Sequence, residues 1–544
     1  MSEPDVDALP QRWQDLLPAA SSRRRFLSLT GGGALAALLA ACAPSAAGDA
    51  AAGATAGPGT ARRGGTLRVG TPPPPTALDP VTAYDGSAIA LYQLVADYLI
   101  WLDKDYELVP RLATAWTSDR TGRIWTFTLR EGVVFSDGTR LDADTVKASF
   151  DRLLDPKGRS AALSAFDTVL KAGGVRADGA TKVVFTLERP FSDFPYLVSA
   201  GNYNAVVLKK DYAGDFAEHG VGTGPFVLTS YDVSTGASFT RNPRYWDAPK
   251  PHLDGVEVKF YADDQADLLA LQGGDVDTQF LSRAALVEPL GDGGGDLVVD
   301  EVRSTAVTVL TLRVDRAPFD RKEVRQAVAH ALDRPALRQA AGSGLGDLGN
   351  DHLFAPLFRS APTDLPQRTR DKEKVTALLK QAGIDSLRFT LTFDPPNKDY
   401  AVTLQSQLKE AGITVDLDQR TSKEFYGGDQ TKDTPWLFTD ANLVNWAGRP
   451  VPSQLVNPMV RSGGVWNGSK YANKALDAAA DAYDAATDDA ERRRQAGIIA
   501  RILHEDVPLV IGFWNGNTRA SRRSFRGIEA HPSQYVDLSA VSRA

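Results

Sequence analysis

Two hydrophobic periods alternate along the chain and mark most of its elements. Leu67 and Val69 flank polar positions in a short strand that runs into the proline-rich loop TPPPPTALDP. The run GSAIALYQLVADYLIWL, residues 86–102, is apolar on every side and reads as a buried helix. Trp125, Phe127 and Leu129 alternate with Thr126, Thr128 and Arg130, the period of a strand with one buried face. Val146, Phe150 and Leu153 recur at helical spacing behind Asp142, a residue type that caps helix N-termini. Lys182 to Leu187 is another strand. From Val221 the pattern predicts three strands joined by turns, with Val256, Val258 and Phe260 on one face, then a short helix, a Gly-Gly break and a return strand.

The second half is α/β in character. EVRQAVAHALDRPALRQAA carries Val324, Val328 and Leu332 at fourfold spacing and predicts one helix. Arg388–Phe393, Asp399–Glu410 and Ile413–Leu417 read as strand, helix and strand, a unit that pairs its strands in parallel. Gly412 stands where a helix C-terminal glycine belongs. Ala496, Ile499, Ala500 and Leu503 mark one face of a late helix, which Pro508 stops before the buried strand VPLVIGFW.

The first 65 residues have a different pattern. Arg23, Arg24 and Arg25 precede an apolar run from Phe26 to Ala41, shorter than the roughly 20 residues a spanning helix needs. Basic, apolar and small residues in that order read as an export signal. The run ends at Cys42, the only cysteine of 544 residues, so internal disulfides and cysteine-rich metal sites are excluded. Arg23 and Arg24 resemble a twin-arginine export motif, and Leu39 to Cys42 resembles the lipobox of bacterial lipoproteins, in which the cysteine is lipidated. The Ala/Gly/Ser/Thr-rich stretch that follows has almost nothing to bury. It is expected to be a flexible tether, with a reach of about 25 Å. No second membrane segment is visible.

A net charge of −7 argues against nucleic acid, whose binders need a basic face. The search for catalytic chemistry finds little. His219, His252, His330, His352, His504 and His531 are scattered without metal-ligand spacing, so no metal and no cofactor is expected. No nucleophile elbow occurs, and Gly222-Thr223-Gly224-Pro225 lacks the lysine of a phosphate loop and reads as a tight turn. Paired acids such as Asp263-Asp264, Asp488-Asp489 and Glu505-Asp506 read as caps and solvated helix ends. An export address, a tether and a large body without a catalytic set imply binding rather than turnover.

The segment PRLATAWTSDRTGRIWTFTLREGVVFSDGTRLDADTVKASFDRLLDP resembles the signature region of bacterial extracellular solute-binding proteins of the peptide/opine/nickel class, which serve ATP-driven importers. The likeness recurs in order at GTGPFVLTSYDVSTGASFTRNPRYWDAPKPHLDGVEVKFYAD, LRVDRAPFDRKEVRQAVAHALDRPAL, LQSQLKEAGITVDL and ARILHEDVPLVIGFW. Trp116, Trp125, Phe127 and Asn242 to Trp246 are expected to be packing residues. The resemblance implies an α/β, two-lobed, type II periplasmic-binding-protein-like fold with an extra subdomain. It divides the chain into a signal peptide at 1–41, a tether at 42–65, a first lobe at 66–98, 221–303 and 506–544, an inserted subdomain at 99–220 and a second lobe at 304–505. It further implies a monomer on the outer face of the cell membrane, tethered through Cys42. That monomer takes a small-molecule or peptide ligand to the permease subunits of an ABC transporter.

In peptide-binding relatives an aspartate shortly after a tryptophan in the second lobe pairs with the peptide's amino group. The corresponding stretch here is NLVNWAGRP, and Ala447 or Arg449 stands at that position. Arg449 would suit a carboxylate or other anion through a forked grip. Asn445 and Trp446 belong to the same stretch, Phe425 occupies a cleft aromatic's position, and Tyr84 follows the first strand where the first lobe lines the cleft. These five are the expected ligand residues. Two other classes remain open on sequence: a membrane-anchored sensor or extracytoplasmic chaperone of the same fold, and a secreted hydrolase.

Overall fold

The computed structural model describes residues 62–544 except 76, 167, 282–286, 288, 289, 291–294 and 429–431. The export motif with Arg23 and Arg24, the lipidation position Cys42 and most of the tether lie outside the described residues.

An 11-stranded mixed sheet organises the body. At its centre two long antiparallel strands, Leu297–Leu312 and Leu509–Arg522, pair along almost their whole length. Sixteen extended residues span about 50 Å, enough to run through two lobes. At one end these strands meet Thr278–Gln279, Thr66–Thr71, Gly255–Phe260, Gly236–Arg241 and Phe226–Asp232. At the other they meet Ala441–Trp446, Leu387–Phe393 and Ile413–Gln419. The register of the long pair slips between Arg303 and Val307, so a bulge sits where the strands pass from one lobe to the other. Bulges bend a strand and break its ladder locally. The lobe limit expected between 303 and 304 therefore falls inside a continuous strand, and the one expected between 505 and 506 falls at the end of the helix Asp489–Asp506. Leu509, Val510 and Ile511, expected in the first lobe, pack in the core of the second.

In the second lobe the sheet is covered on both faces. Leu310, Leu391 and Leu443 pack under Val324, Leu337, Val375 and Leu404 on one side. Val309, Val444 and Trp446 pack under Leu455, Leu476, Ile499 and Leu503 on the other. The predicted strand–helix–strand unit forms, with Leu387–Phe393 and Ile413–Gln419 parallel and Gly412 at φ 82° beyond the intervening helix.

Residues 113–186 carry a separate four-stranded antiparallel sheet, on which the helix Ala143–Leu154 packs. Asp142 caps that helix by accepting the Thr145 N–H. Phe127, Phe150 and Phe185 of this subdomain share one core with Leu67 and Val69 of the first lobe.

Two predicted helices come out differently. The apolar run 86–102 is helical only over Gly86–Gln93, and Ile100–Leu102 is a strand. The carbonyls of Leu94 and Val95 instead accept the Phe226 and Gly224 N–H groups. A Cβ on Gly222 would lie 2.0 Å from the Val95 carbonyl oxygen, which is the physical reason for glycine in that loop. The run from Glu323 breaks into Lys322–His330 and Arg334–Gly342. Asp333 caps the second helix, and Pro335 cannot donate to a continued first one.

The expected packing residues do pack. Trp125 and Phe127 are buried and Trp116 packs on the same core. The buried Asn242 donates to the Gly224 carbonyl at 2.8 Å, while the Trp246 indole donates to Asp97 and lies under Arg130. No helix among the described residues is long and apolar enough to cross a membrane.

Candidate functional site

The strand Ala441–Trp446 ends beside the bulge of the long strands, and this places the stretch NLVNWAGRP at the lobe crossing. Alternation along the strand sends Asn445 and Trp446 to opposite faces; Asn445 is exposed and Trp446 is buried. Trp446 lies within a row of rings. Its centroid is 6.0 Å from Trp436 and 5.6 Å from Trp466, and the row continues through Tyr426 to Phe425. The indole N–H groups of Trp436 and Trp446 have no hydrogen-bond partner among the described residues.

Arg449 follows three residues later. Its backbone is held at both ends by one side chain: the Thr305 hydroxyl accepts the Arg449 N–H at 2.9 Å and donates to the Arg449 carbonyl at 2.6 Å. Thr305 lies in the bulge. The same hydroxyl is 3.1 Å from the Tyr106 hydroxyl, to which Ser533 donates. Gly448 is wedged in this junction, where a Cβ would lie 2.9 Å from the Tyr106 hydroxyl and 3.0 Å from the Pro532 carbonyl. Tyr106 itself sits at φ 59°, a left-handed backbone that a bulky residue adopts only under constraint. Burial raises the Tyr106 and Tyr535 hydroxyl pKa values, and the Arg449 charge opposes the rise at both, so the guanidinium lies near these rings. Among the described residues that guanidinium takes part in no hydrogen bond and no ion pair.

Beneath the junction His531 stacks on Tyr535 at 5.2 Å. Its Nε2–H donates to the Leu102 carbonyl while Nδ1 accepts the Ser533 N–H, and burial pushes its pKa down to about 4. The imidazole is neutral at ordinary pH.

The structure brings Trp446, Asn445 and Arg449 to one strand end. Phe425 is a correction. Expected on the cleft wall, it is wholly buried in the second-lobe core, because the side chain of this short helix that faces inward is Phe425 and the one that faces outward is Tyr426. Tyr426 is 38% exposed, with a hydroxyl that burial pushes up to about 12 against the pull of the Asn445 backbone N–H. Tyr84, 66% exposed, stands on the first lobe before the helix Gly86–Gln93. A cavity of about 330 Å³ opens between the lobes, with Trp125, Asp193 and Tyr196 on one side and Phe358, Pro450 and Arg492 on the other. None of the five expected residues lines it.

Sequence reasoning missed Tyr106, Thr305, Tyr426 and Tyr535. The first, second and fourth come from three segments more than 190 residues apart in the chain, and no local pattern marks them. No group of three or more His, Cys, Asp or Glu side chains that could hold a metal occurs among the described residues.

Residues 107–467 match the model of bacterial extracellular solute-binding proteins, family 5, middle region. The chain belongs to this family. It is 27% identical over 464 residues to the glutathione-binding protein GsiB of Escherichia coli O1:K1 / APEC, covering 80% of this chain and 87% of GsiB. It is 32% identical over 448 residues to Protein XP55 of Streptomyces lividans, covering 76% and 77% of the two chains. Among solved structures, the agropinic-acid complex of AgaA from Agrobacterium tumefaciens R10 superposes with a TM-score of 0.72 at 23% identity, covering 88% of this chain and 99% of AgaA. The fold is that of a type II periplasmic binding protein, and the chain is a solute-binding component of ABC import rather than an enzyme.

Proposed function

We propose that this protein is exported, held on the outer face of the cell membrane through lipidated Cys42, and captures a small anionic solute between its lobes for delivery to the permease subunits of an importer. The observation that carries the ligand class is Arg449. Its backbone is fixed at the lobe crossing, its guanidinium has no partner among the described residues, and no acid occupies the neighbouring positions 445–448. An arginine held this way presents a forked pair of donors suited to a carboxylate. Asn445, Trp446 and Tyr84 would contribute further contacts, with Tyr426 in the place expected of Phe425.

The long strands supply the motion. Bending at the bulge lets the lobes open and close, and a ligand that touches both lobes favours the closed form by its differential affinity for it. GsiB binds glutathione and AgaA binds agropinic acid, which supports a small solute here. Mass spectrometry of the solute released by denaturing the purified protein tests the reading, and a carboxylate-bearing small molecule is expected. Nanomolar calorimetric affinity for an unmodified tri- or tetrapeptide set would overturn it.

A further inference from the structure

Away from Trp446 and Arg449, the two lobes exchange buried charges. The subdomain loop Arg189–Asp193 reaches the second-lobe helices Lys474–Ala485 and Asp489–Asp506. Asp193, 3% exposed, accepts from Arg492 at 2.5 Å through one carboxylate oxygen and from the Ser453 hydroxyl at 2.8 Å through the other. In return Asp484, 1% exposed, accepts from Arg189 at 2.8 Å. The Ser192 N–H and hydroxyl both donate to the Asp484 carbonyl, at 2.7 and 3.0 Å, and Arg492 also donates to the Ser192 hydroxyl. Within the second lobe, Asn457 donates to Asp484 and Arg492 lies over the Tyr483 ring at 4.3 Å.

Each lobe therefore contributes a buried acid that is answered by an arginine of the other. We propose that this reciprocal pair of ion pairs is a closing latch that sets the open–closed equilibrium without ligand. The energetic logic is asymmetric. A buried pair gains little over two hydrated ions, but removing one partner leaves the other charge uncompensated at a largely buried interface. Without its cross-lobe arginine Asp193 keeps only the Ser453 hydroxyl, and Asp484 keeps Asn457 and, at 3.9 Å, Arg461, so loss of either arginine weakens the closed form and favours opening. None of the residues assigned to the ligand takes part. The inference rests on the two-lobe capture reading only for its consequence, that a latch favouring the closed form raises apparent solute affinity.

Small-angle X-ray scattering of the purified ligand-free protein tests it. The wild type is expected to give the radius of gyration of the closed form, and Arg492→Met and Arg189→Met each to shift it upward with unchanged helix content by circular dichroism. Arg359→Met, which breaks the exposed interlobe pair with Glu107, is expected to leave it unchanged. Should Arg492→Met fail to fold, Arg189→Met decides from the opposite lobe. A wild type that is already open without ligand, or buried-pair variants with the wild-type radius, would overturn the latch. Because no solute enters the measurement, either result leaves the ligand assignment to be judged by mass spectrometry.

Discussion

Thr305 clamps Arg449. One hydroxyl on the bulge of a crossing strand satisfies both the N–H and the carbonyl of a residue 144 positions away, at 2.9 and 2.6 Å. The loop that carries the candidate anion grip is thereby fastened to the bulge at which the long strands pass from one lobe to the other. A solute held by Arg449 would pull on the hinge through two hydrogen bonds.

Replacing Thr305 by valine keeps the shape and removes the hydroxyl. Two backbone groups are then left without a partner at a half-buried junction, at a cost of about 1–3 kcal/mol. Chemical denaturation should show Thr305→Val destabilised by that amount, and stability equal to the wild type would show that water replaces the clamp.

Arg449→Ala separates recognition from folding. The side chain pairs with nothing among the described residues, so ligand-free stability should fall by no more than about 1 kcal/mol. Binding of the co-purifying solute should be lost, and calorimetry reads both branches. A large fall in ligand-free stability would place the guanidinium in the architecture instead.

Asp267 predicts a pH dependence. It is wholly buried over Gly70, and burial pushes its pKa up to about 7 against the opposing pull of Gln279. Between about 4 and 7 the folded chain holds a proton that the unfolded chain has released, so stability falls as pH rises through that window and levels off above it. Each pH unit is worth up to about 1.4 kcal/mol. Asp267→Asn, neutral at every pH, should flatten the profile and exceed the wild type in stability at pH 8. Parallel profiles for the two proteins would remove the assignment.

Cys42→Ala tests the anchor. Acyl chains contribute about 0.8 kcal/mol per buried CH₂, so the variant should move from the membrane to the soluble fraction on cell fractionation. Unchanged membrane association would exclude lipidation at this position.

Much of the fold was legible in the chain because its signals are local. Asp142 before Val146 and Phe150 announces a capped amphipathic helix, and Trp125, Phe127 and Leu129 announce a strand, since burial on one face repeats with the period of the element. The signal failed where burial is complete. Residues 86–102 are apolar apart from Ser87, Gln93 and Asp97, so the pattern barely separates helix from strand, and hydrogen bonds from the distant Gly224 and Phe226 decide the boundary. Asp333 and Pro335 were a local stop inside a continuous stripe.

The sequence by itself determined the family, the helix caps, most strands and the absence of an acid from positions 445–449, because each of these is written in neighbouring residues. Tertiary structure alone decided that Phe425 is core and Tyr426 its exposed neighbour, that Thr305 fastens Arg449, and that Arg189 and Arg492 answer acids across the lobes. Those pairings join segments between 144 and 299 residues apart. Their geometry exists only once the two long strands have brought both lobes together.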